Sequence, residues 1–146
     1  MPSPDYHYQG CTCSVYAISD GHGNIKVGVA NRVDRRIKQM QTGNAHPLQL
    51  LFECVCESER QLLANTAAFT IEHWIHEDLR LRQMTGEWFS VDYQEAYKSL
   101  CHVVDWFRAH RKDAELVVHD IHVHAYEHQH VWYWPTSDVY ERGLVQ

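Results

Sequence analysis

Residues 15–43, VYAISDGHGNIKVGVANRVDRRIKQMQTG, predict a strand, a turn, a second strand and then a helix. Residues 15–18 are rich in β-branched and aromatic side chains, and residues 25–29 alternate apolar with small or polar ones. Between these segments, residues 19–24 (SDGHGN) place two glycines beside Asp and Asn, a composition typical of a hairpin loop. The two strands therefore form a β-hairpin that leads directly into a helix.

The helix of this stretch has an amphipathic face and one residue that does not fit it. Asn31 is the predicted N-cap, and three residues at helical spacing form the apolar face: Val33, Ile37 and Met40. Arg36 falls within the same arc. A guanidinium group there needs an anionic partner or lines a cleft. The alternative is that its aliphatic stem follows the edge of the apolar face and carries the charge to water.

Length and composition indicate one domain with a substantial core, since the chain has 146 residues and an ordinary globular composition. No apolar run is long enough to cross a membrane, and residues 1–10 lack a signal-peptide pattern. Five cysteines, an odd number, argue against a fully paired disulfide framework and agree with a reducing compartment. We therefore expect a cytoplasmic protein with no membrane partner.

The remaining chain predicts an α+β fold. Residues 48–56 are a predicted third strand, and residues 57–82 form the longest helical pattern, broken at Thr85-Gly86. A short extended segment and an amphipathic helix over residues 93–112 follow. From residue 115 the sequence ELVVHDIHVHAYEHQHVWYW alternates with period two, which predicts a His-rich strand or hairpin added at a sheet edge.

Two polar residues lie on the apolar arc of the longest helix. Glu72 falls near the middle of that arc, and His76 follows one turn later. A hydrogen-bonded Glu–His pair at the margin of a core would explain these two residues, but not Arg36 as well. Together, Arg36 and Glu72 indicate a cleft into which two helices present polar groups. Tyr16 and Lys26, from the hairpin strands, are close enough in the predicted topology to reach it.

The order of these residues resembles the GIY-YIG nuclease superfamily, in particular a compact phage and bacterial subgroup with K-[IV]-G as its second motif. The ordered set is V-Y at 15–16, K-V-G at 26–28, Arg36, Q-T-G-N at 41–44, Glu72 with His76, and G-E-W-F at 86–89. The resemblance implies a small three-stranded antiparallel sheet flanked by helices. It also implies a catalytic domain over residues 13–92, with residues 1–12 as a lead-in and residues 93–146 as a C-terminal helix and His-rich extension.

The resemblance further implies a role for each site residue. Glu72 would hold a single Mg²⁺ or Mn²⁺, Arg36 would neutralise charge on the phosphoryl group, and Tyr16 would align or deprotonate the attacking water. Lys26 stands where a second tyrosine is expected, so the identity of the general base is open. His76 is a candidate for that role because imidazole titrates near neutral pH.

A local basic cluster on an acidic chain is the predicted nucleic-acid contact. The net charge is −6, which is unusual for a DNA-binding protein, but a small basic patch can still touch a few phosphates. The predicted DNA contacts are Arg32, Arg35, Lys38 and Asn44.

Two further groups of side chains are weaker metal candidates. A structural Zn²⁺ at two C-x-C pairs is the minor alternative, because these pairs lack the usual C-x₂-C spacing and free cysteines are commonly buried apolar residues. Histidines of the C-terminal strand could bind a transition metal, although such a face is more often solvated or pairs with a second copy of the chain. The residues concerned are Cys11, Cys13, Cys54 and Cys56, and His122, His124, His128 and His130.

Three functions remain open from the sequence. The first is a divalent-metal-dependent endonuclease that hydrolyses DNA phosphodiester bonds by water attack. The second is a module with the same fold that binds nucleic acid without cleaving it. The third is a metal-binding or interaction protein that uses the His-rich strand. The same strand could also form a homodimer by edge pairing.

Overall fold

The computed structural model describes residues 7–111 and 113–124, which form an α+β fold around an open antiparallel sheet. The described part contains six strands, three α-helices and one short 3₁₀ turn. In chain order they are β1 (Cys11–Ser19), β2 (Ile25–Ala30), α1 (Val33–Thr42), β3 (Gln49–Ser58), α2 (Gln61–Asp78), the 3₁₀ turn (Arg80–Arg82), β4 (Trp88–Phe89), α3 (Tyr93–His110), β5 (Val117–Val118) and β6 (His122–Val123).

The sheet has the order β4-β2-β1-β3-β5, and β6 also pairs with β3. The sheet of the described residues therefore has more strands than the three that were predicted. β1, β2 and β3 are the three long strands, and short antiparallel strands extend both of their outer edges. Because β4 has only two residues, it covers only the start of β2.

The C-terminal part of the described chain departs from both the long strand and the hairpin that the alternating pattern allows. β5 and β6 both pair antiparallel with β3, and the ladder is interrupted between them. The backbone N–H groups of His119 and His124 nevertheless donate to the carbonyls of Val55 and Leu51, at 2.9 Å and 2.7 Å. Residues 117–124 therefore cover the outer edge of β3 in two short pieces. His128 and His130 lie outside the described residues, and the homodimer stays a prediction.

The two faces of the sheet are covered unequally. Helices α2 and α3 bury the larger core, in which Val15, Phe52 and Ile71 are each at most 2% exposed. Helix α1 covers a smaller cluster on the other face, formed by Tyr16, Ile18, Ala30 and Val33. Each fully buried large apolar side chain contributes roughly 1.5–3 kcal/mol relative to an exposed one, so the α2 face supplies most of the driving force for folding.

Two predicted helix boundaries differ from the structure. Arg32, not Asn31, is the N-cap of α1, and it makes no side-chain capping bond. The Asn31 amide instead donates to the Thr12 carbonyl at 3.0 Å, which ties the end of β2 to β1. Helix α2 begins at Gln61 because β3 continues to Ser58. Among the described residues, every helix is too short or too polar to span a bilayer.

Candidate active site at the free edge of strand β2

The candidate site lies along the part of β2 that β4 leaves uncovered. Polar groups from three other segments reach this edge and bind its backbone. The Glu87 carbonyl accepts a hydrogen bond from the Val27 N–H at 3.1 Å, and His76 Nε2 lies 2.8 Å from the Val27 carbonyl oxygen. From the opposite face, Arg36 donates to the Val29 carbonyl at 3.4 Å. Helices α1 and α2, which cover opposite faces, therefore meet around one strand edge.

Two carboxyl groups lie together at this edge. The Glu72 side chain is 13% exposed and the Glu87 side chain is 42% exposed. Burial, and after it the charge of Glu87, with which Glu72 can share a hydrogen bond, together raise the pKa of Glu72 to about 7. Lys26 opposes that shift, and its Nζ atom lies 2.9 Å from Glu87 Oε1. Glu72 and Glu87 therefore concentrate negative charge at this edge, and Lys26 offsets it only in part.

The Tyr16 hydroxyl is buried beside these carboxyl groups. It is the side-chain oxygen of a residue that is only 1% exposed, and it makes no hydrogen bond with any described residue. Tyr16 pairs with Gly28 in the β1–β2 ladder. A Cβ atom at position 28 would lie 2.5 Å from the Tyr16 hydroxyl and 3.1 Å from Glu87 Oε1. The glycine therefore lets the phenol pack directly on the β2 backbone, close to a carboxylate oxygen of Glu87.

The electrostatic surroundings keep Tyr16 in its neutral form. Burial raises its pKa, and the negative charges of Glu87 and Glu72 add to that shift, whereas the guanidinium group of Arg36 opposes it. A phenol with a raised pKa is a hydrogen-bond donor at neutral pH and a poor base. Tyr16 is therefore suited to orient a ligand oxygen.

His76 has a defined role toward its neighbours. Its Nε2 atom faces the Val27 carbonyl, which can only accept, so this nitrogen carries the proton. The same nitrogen is 3.9 Å from Glu72 Oε2. His76 thus presents a donor, not a free lone pair, on the side of Glu72. This geometry differs from the predicted general-base role and fits a residue that orients Glu72.

The basic residues on and beside α1 are exposed. Val33 packs on the sheet, with Ile37 and Met40 partly buried against the same cluster, and Arg36 lies beside this face. Of the two alternatives for Arg36, the structure therefore shows the side chain at the edge of the apolar face, from where it reaches the Val29 carbonyl. Arg32 forms an exposed ion pair with Asp34, with 3.0 Å between Nη2 and Oδ2. Arg35 and Lys38 are exposed, and Asn44 is half-buried.

Comparison with family models gives one match, to the T5orf172 domain, over residues 11–108. This match covers more than half of the chain. The chain belongs to the T5orf172 domain family. The motif-based assignment to the GIY-YIG superfamily is thereby corrected, since the matching family model is that of the T5orf172 domain and no GIY-YIG model matched. No curated protein and no solved structure matched the chain.

The T5orf172 domain match extends from the start of β1 almost to the end of α3. It therefore includes every residue that contributes to the free edge of β2. Strands β5 and β6 lie beyond it.

Sequence reasoning missed two residues of the T5orf172 domain that the structure places in the site. From the sequence, Glu87 could be either a structural residue or part of the site. The short segment around it shows no periodicity that would indicate which way its side chain faces. Gly28 counted only as part of a motif. Its role depends on the β1–β2 register, which places it opposite Tyr16. Gly28 could have been identified if the β1–β2 register had been predicted. A tyrosine that pairs with a glycine predicts that the tyrosine ring crosses the neighbouring strand at that glycine.

The four cysteines of the two C-x-C pairs lie apart from this edge. Cys13, Cys54 and Cys56 are buried in the core between the sheet and helices α2 and α3, and Cys11 is half-buried. Burial, with a smaller contribution from the charge of Glu72, raises the pKa of Cys13 to about 11. Side chains of this kind behave as small apolar residues.

Of the four histidines considered as metal ligands, His122 and His124 are described, and both belong to the segment that pairs with β3. His124 Nε2 lies 3.0 Å from Glu53 Oε1, and the rings of His122 and His124 are 4.2 Å apart. In residues 7–111 and 113–124, no three or more Cys, His, Asp or Glu side chains are grouped so that they could hold a metal ion. The structure therefore adds no support for the Zn²⁺ or transition-metal sites considered from the sequence.

Proposed function

We propose that this T5orf172 domain is a divalent-metal-dependent endonuclease that hydrolyses DNA phosphodiester bonds by water attack. The observation that carries the proposal is the half-buried pair of Glu72 and Glu87 at the free edge of β2. Two carboxyl groups held together in this way repel each other when both are ionised. A bound cation removes that repulsion, so the pair is better suited to a cation than to a structural role.

The donor set fits Mg²⁺ or Mn²⁺. Both ions prefer oxygen ligands, and Mg²⁺ is commonly held by one or two carboxylates together with waters and substrate phosphates. Glu72 would be the principal ligand, and Glu87 lies close enough to offer a second oxygen. When bound, such an ion polarises the phosphoryl group and stabilises its developing charge.

The cationic side chains would hold the substrate phosphate. Arg36 is exposed and its guanidinium lies at the β2 edge, so no other side chain has to move for it to contact a phosphate. Lys26 is 17% exposed and is paired with Glu87, which keeps its ammonium group beside the carboxyl pair. Charge-assisted hydrogen bonds from these two groups would stabilise the negative charge that builds on the phosphoryl oxygens during in-line attack.

The Tyr16 hydroxyl and Glu87 would position the attacking water at the edge of β2. The hydroxyl packs against the Gly28 backbone, and Glu87 Oε1 lies close to the same point. A water there would be oriented by the phenol and would pass its proton to the carboxylate. His76 would meanwhile keep Glu72 in place through its backbone-anchored ring.

A nicking assay tests this proposal. Supercoiled plasmid and branched DNA would be incubated with Mg²⁺, Mn²⁺ or EDTA, and native chain would be compared with Glu72→Gln. We expect cleavage with either metal, none with EDTA, and a loss of at least about 100-fold in Glu72→Gln. Glu77→Gln, an exposed carboxylate on another face of α2, is the matched control and should cleave normally. Cleavage that survives in Glu72→Gln would rule out the proposed site.

A second candidate is a module that binds nucleic acid without cutting it. The ion pair between Lys26 and Glu87 favours this function, because it ties up a cation that cleavage would use. In that case the native chain would shift DNA in a gel, with affinity that falls steeply as salt increases, and would leave it intact with every metal.

A further inference from the structure

One face of α2 continues the candidate site beyond the carboxyl pair. Phe69 precedes Glu72 by three residues, and Asn65 precedes Phe69 by four, so the three side chains are neighbours on one helical face. Along the helix axis Phe69 is only roughly 4.5 Å from Glu72. Phe69 is 56% exposed, and Leu62, two turns earlier on the same side of α2, is 73% exposed. An exposed aromatic ring therefore stands directly beside the site.

An ordered group of amides lies next to that ring. Asn65 Oδ1 accepts hydrogen bonds from Asn31 Nδ2 at 3.0 Å and from Gln61 Nε2 at 2.8 Å. Asn31 and Gln61 also donate to the Thr12 carbonyl. These bonds fix the Asn65 carbonyl toward the protein. Among the described residues, neither Asn65 Nδ2 nor Asn31 Oδ1 has a hydrogen-bond partner, so one donor and one acceptor remain for a ligand.

This combination matches an unpaired nucleobase. A base has a flat face that stacks on an aromatic ring, and its edge carries donors and acceptors that pair with side-chain amides. Inside a duplex that face is covered by the neighbouring bases, so Phe69 could not stack on it. A protein partner would need a larger apolar surface than Phe69 and Leu62 provide beside these amides.

We infer that the substrate of this site is DNA with an unpaired nucleotide next to the scissile phosphate, whose base stacks on Phe69 beside the amides of Asn65 and Asn31. This inference rests on the proposed nuclease function and specifies its substrate class. Single strands, flaps and the unpaired positions of branched DNA share this feature, whereas an intact duplex lacks it.

Binding and cleavage measured together test the inference. Fluorescence anisotropy in EDTA would give the affinity of the full chain for a labelled single strand and for the duplex of the same sequence, and nicking with Mg²⁺ would give activity. We expect tighter binding of the single strand. Phe69→Ala should weaken that binding by about 5- to 150-fold, the equivalent of about 1–3 kcal/mol for one stacked base, and leave duplex binding unchanged.

Two control variants separate stacking from other effects. Phe69→Tyr keeps a ring and should retain single-strand affinity. Trp74→Ala removes another exposed aromatic residue of α2, on the side away from Glu72, and should have no effect. The inference would be overturned if Phe69→Ala lost the same affinity for single strand and duplex, or lost no affinity at all. The nuclease proposal would still stand in that case, provided that Glu72→Gln is inactive. A native chain that neither binds nor cleaves DNA would overturn both.

Discussion

The hydroxyl of Tyr16 lies 2.5 Å from the position that a Cβ atom would occupy at Gly28. This approach is closer than any side chain could tolerate, and the Tyr16 Cζ atom is only 2.7 Å from the same point. Position 28 must therefore be glycine, because the Tyr16 phenol occupies the place that a side chain would need. The buried phenol crosses β2 where the strand has no side chain.

Gly28→Ala should disrupt the site and reduce stability. The new methyl group would force the Tyr16 ring out of its position or shift β2, at a cost of about 1–3 kcal/mol, which is typical of overpacking. Urea denaturation would measure this cost, and we expect cleavage to fall at least about tenfold. Gly43→Ala is the control, because it meets nothing within 4 Å and its φ of −100° suits alanine. Native stability and activity in Gly28→Ala would contradict the observed approach.

Tyr16→Phe should separate stability from activity. A buried hydroxyl that has no hydrogen-bond partner of normal geometry, and only Arg36 as a nearby cation, recovers little of the hydration it loses on folding, so its removal should raise the free energy of unfolding by about 1 kcal/mol. If the same hydroxyl orients the attacking water, cleavage should fall at least about tenfold. Thermal unfolding and the nicking assay test both effects on one variant. A destabilised Tyr16→Phe would show that the hydroxyl has a structural partner.

The main elements of the fold could be predicted from the sequence because each has a strong local signal. The SDGHGN loop between two β-prone segments predicts the hairpin, and it connects β1 and β2. The outer strands could be predicted as extended segments, but not their bounds or their pairing. Strands of two residues, such as Trp88–Phe89 and Val117–Val118, form where an existing edge offers hydrogen bonds, so that edge sets their limits.

The site was predictable where one helix carried the information. Glu72 lies inside the apolar arc of α2, and that conflict between charge and position identifies it from spacing alone. Arg36 shows the limit of this reasoning. With about 3.6 residues per turn Arg36 lies beside the arc of Val33, Ile37 and Met40, not within it. Those three residues pack on the sheet, and the guanidinium stays outside. The partnership of Glu72 with Glu87 depends on how separate segments pack around β2.

The Glu72 carboxyl group should make stability depend on pH in a recognisable direction. Its pKa is raised in the folded protein from the ordinary 4.5 to about 7, chiefly by burial and then by Glu87. Between these values the folded state binds more protons than the unfolded state, so the free energy of unfolding should fall as pH rises from about 4.5 to 7 and level off above that. Denaturation in EDTA across this range would show the fall in native chain, and Glu72→Gln should lack that component.

Divalent cation should reverse this trend. A cation on the carboxyl pair favours its ionised form, so Mg²⁺ at pH 8 should stabilise the native chain and have little effect on Glu72→Gln. Equal stabilisation of both proteins would mean that the cation binds elsewhere. The same pH profile in both proteins would mean that Glu72 does not carry the raised pKa.

The Lys26–Glu87 ion pair decides between the nuclease and the binding module. Lys26→Met, Glu87→Gln and the double variant form a thermodynamic cycle, with the free energy of unfolding measured at pH 8 in EDTA. Because the pair is partly exposed, we expect a coupling of about 1 kcal/mol or less. Lys26→Met should be the most destabilised of the three, since it leaves both carboxylates without a nearby cation.

The effect of cation on this cycle carries the functional conclusion. If Mg²⁺ neutralises the two carboxylates in place of Lys26, it should restore much of the free energy of unfolding lost in Lys26→Met. It should also reduce the coupling energy between Lys26 and Glu87. The ammonium group is then released toward a phosphate when the site is loaded, as cleavage requires. A coupling that Mg²⁺ leaves unchanged would mean that Lys26 stays bound to Glu87, and the binding module would then be the better description of the domain.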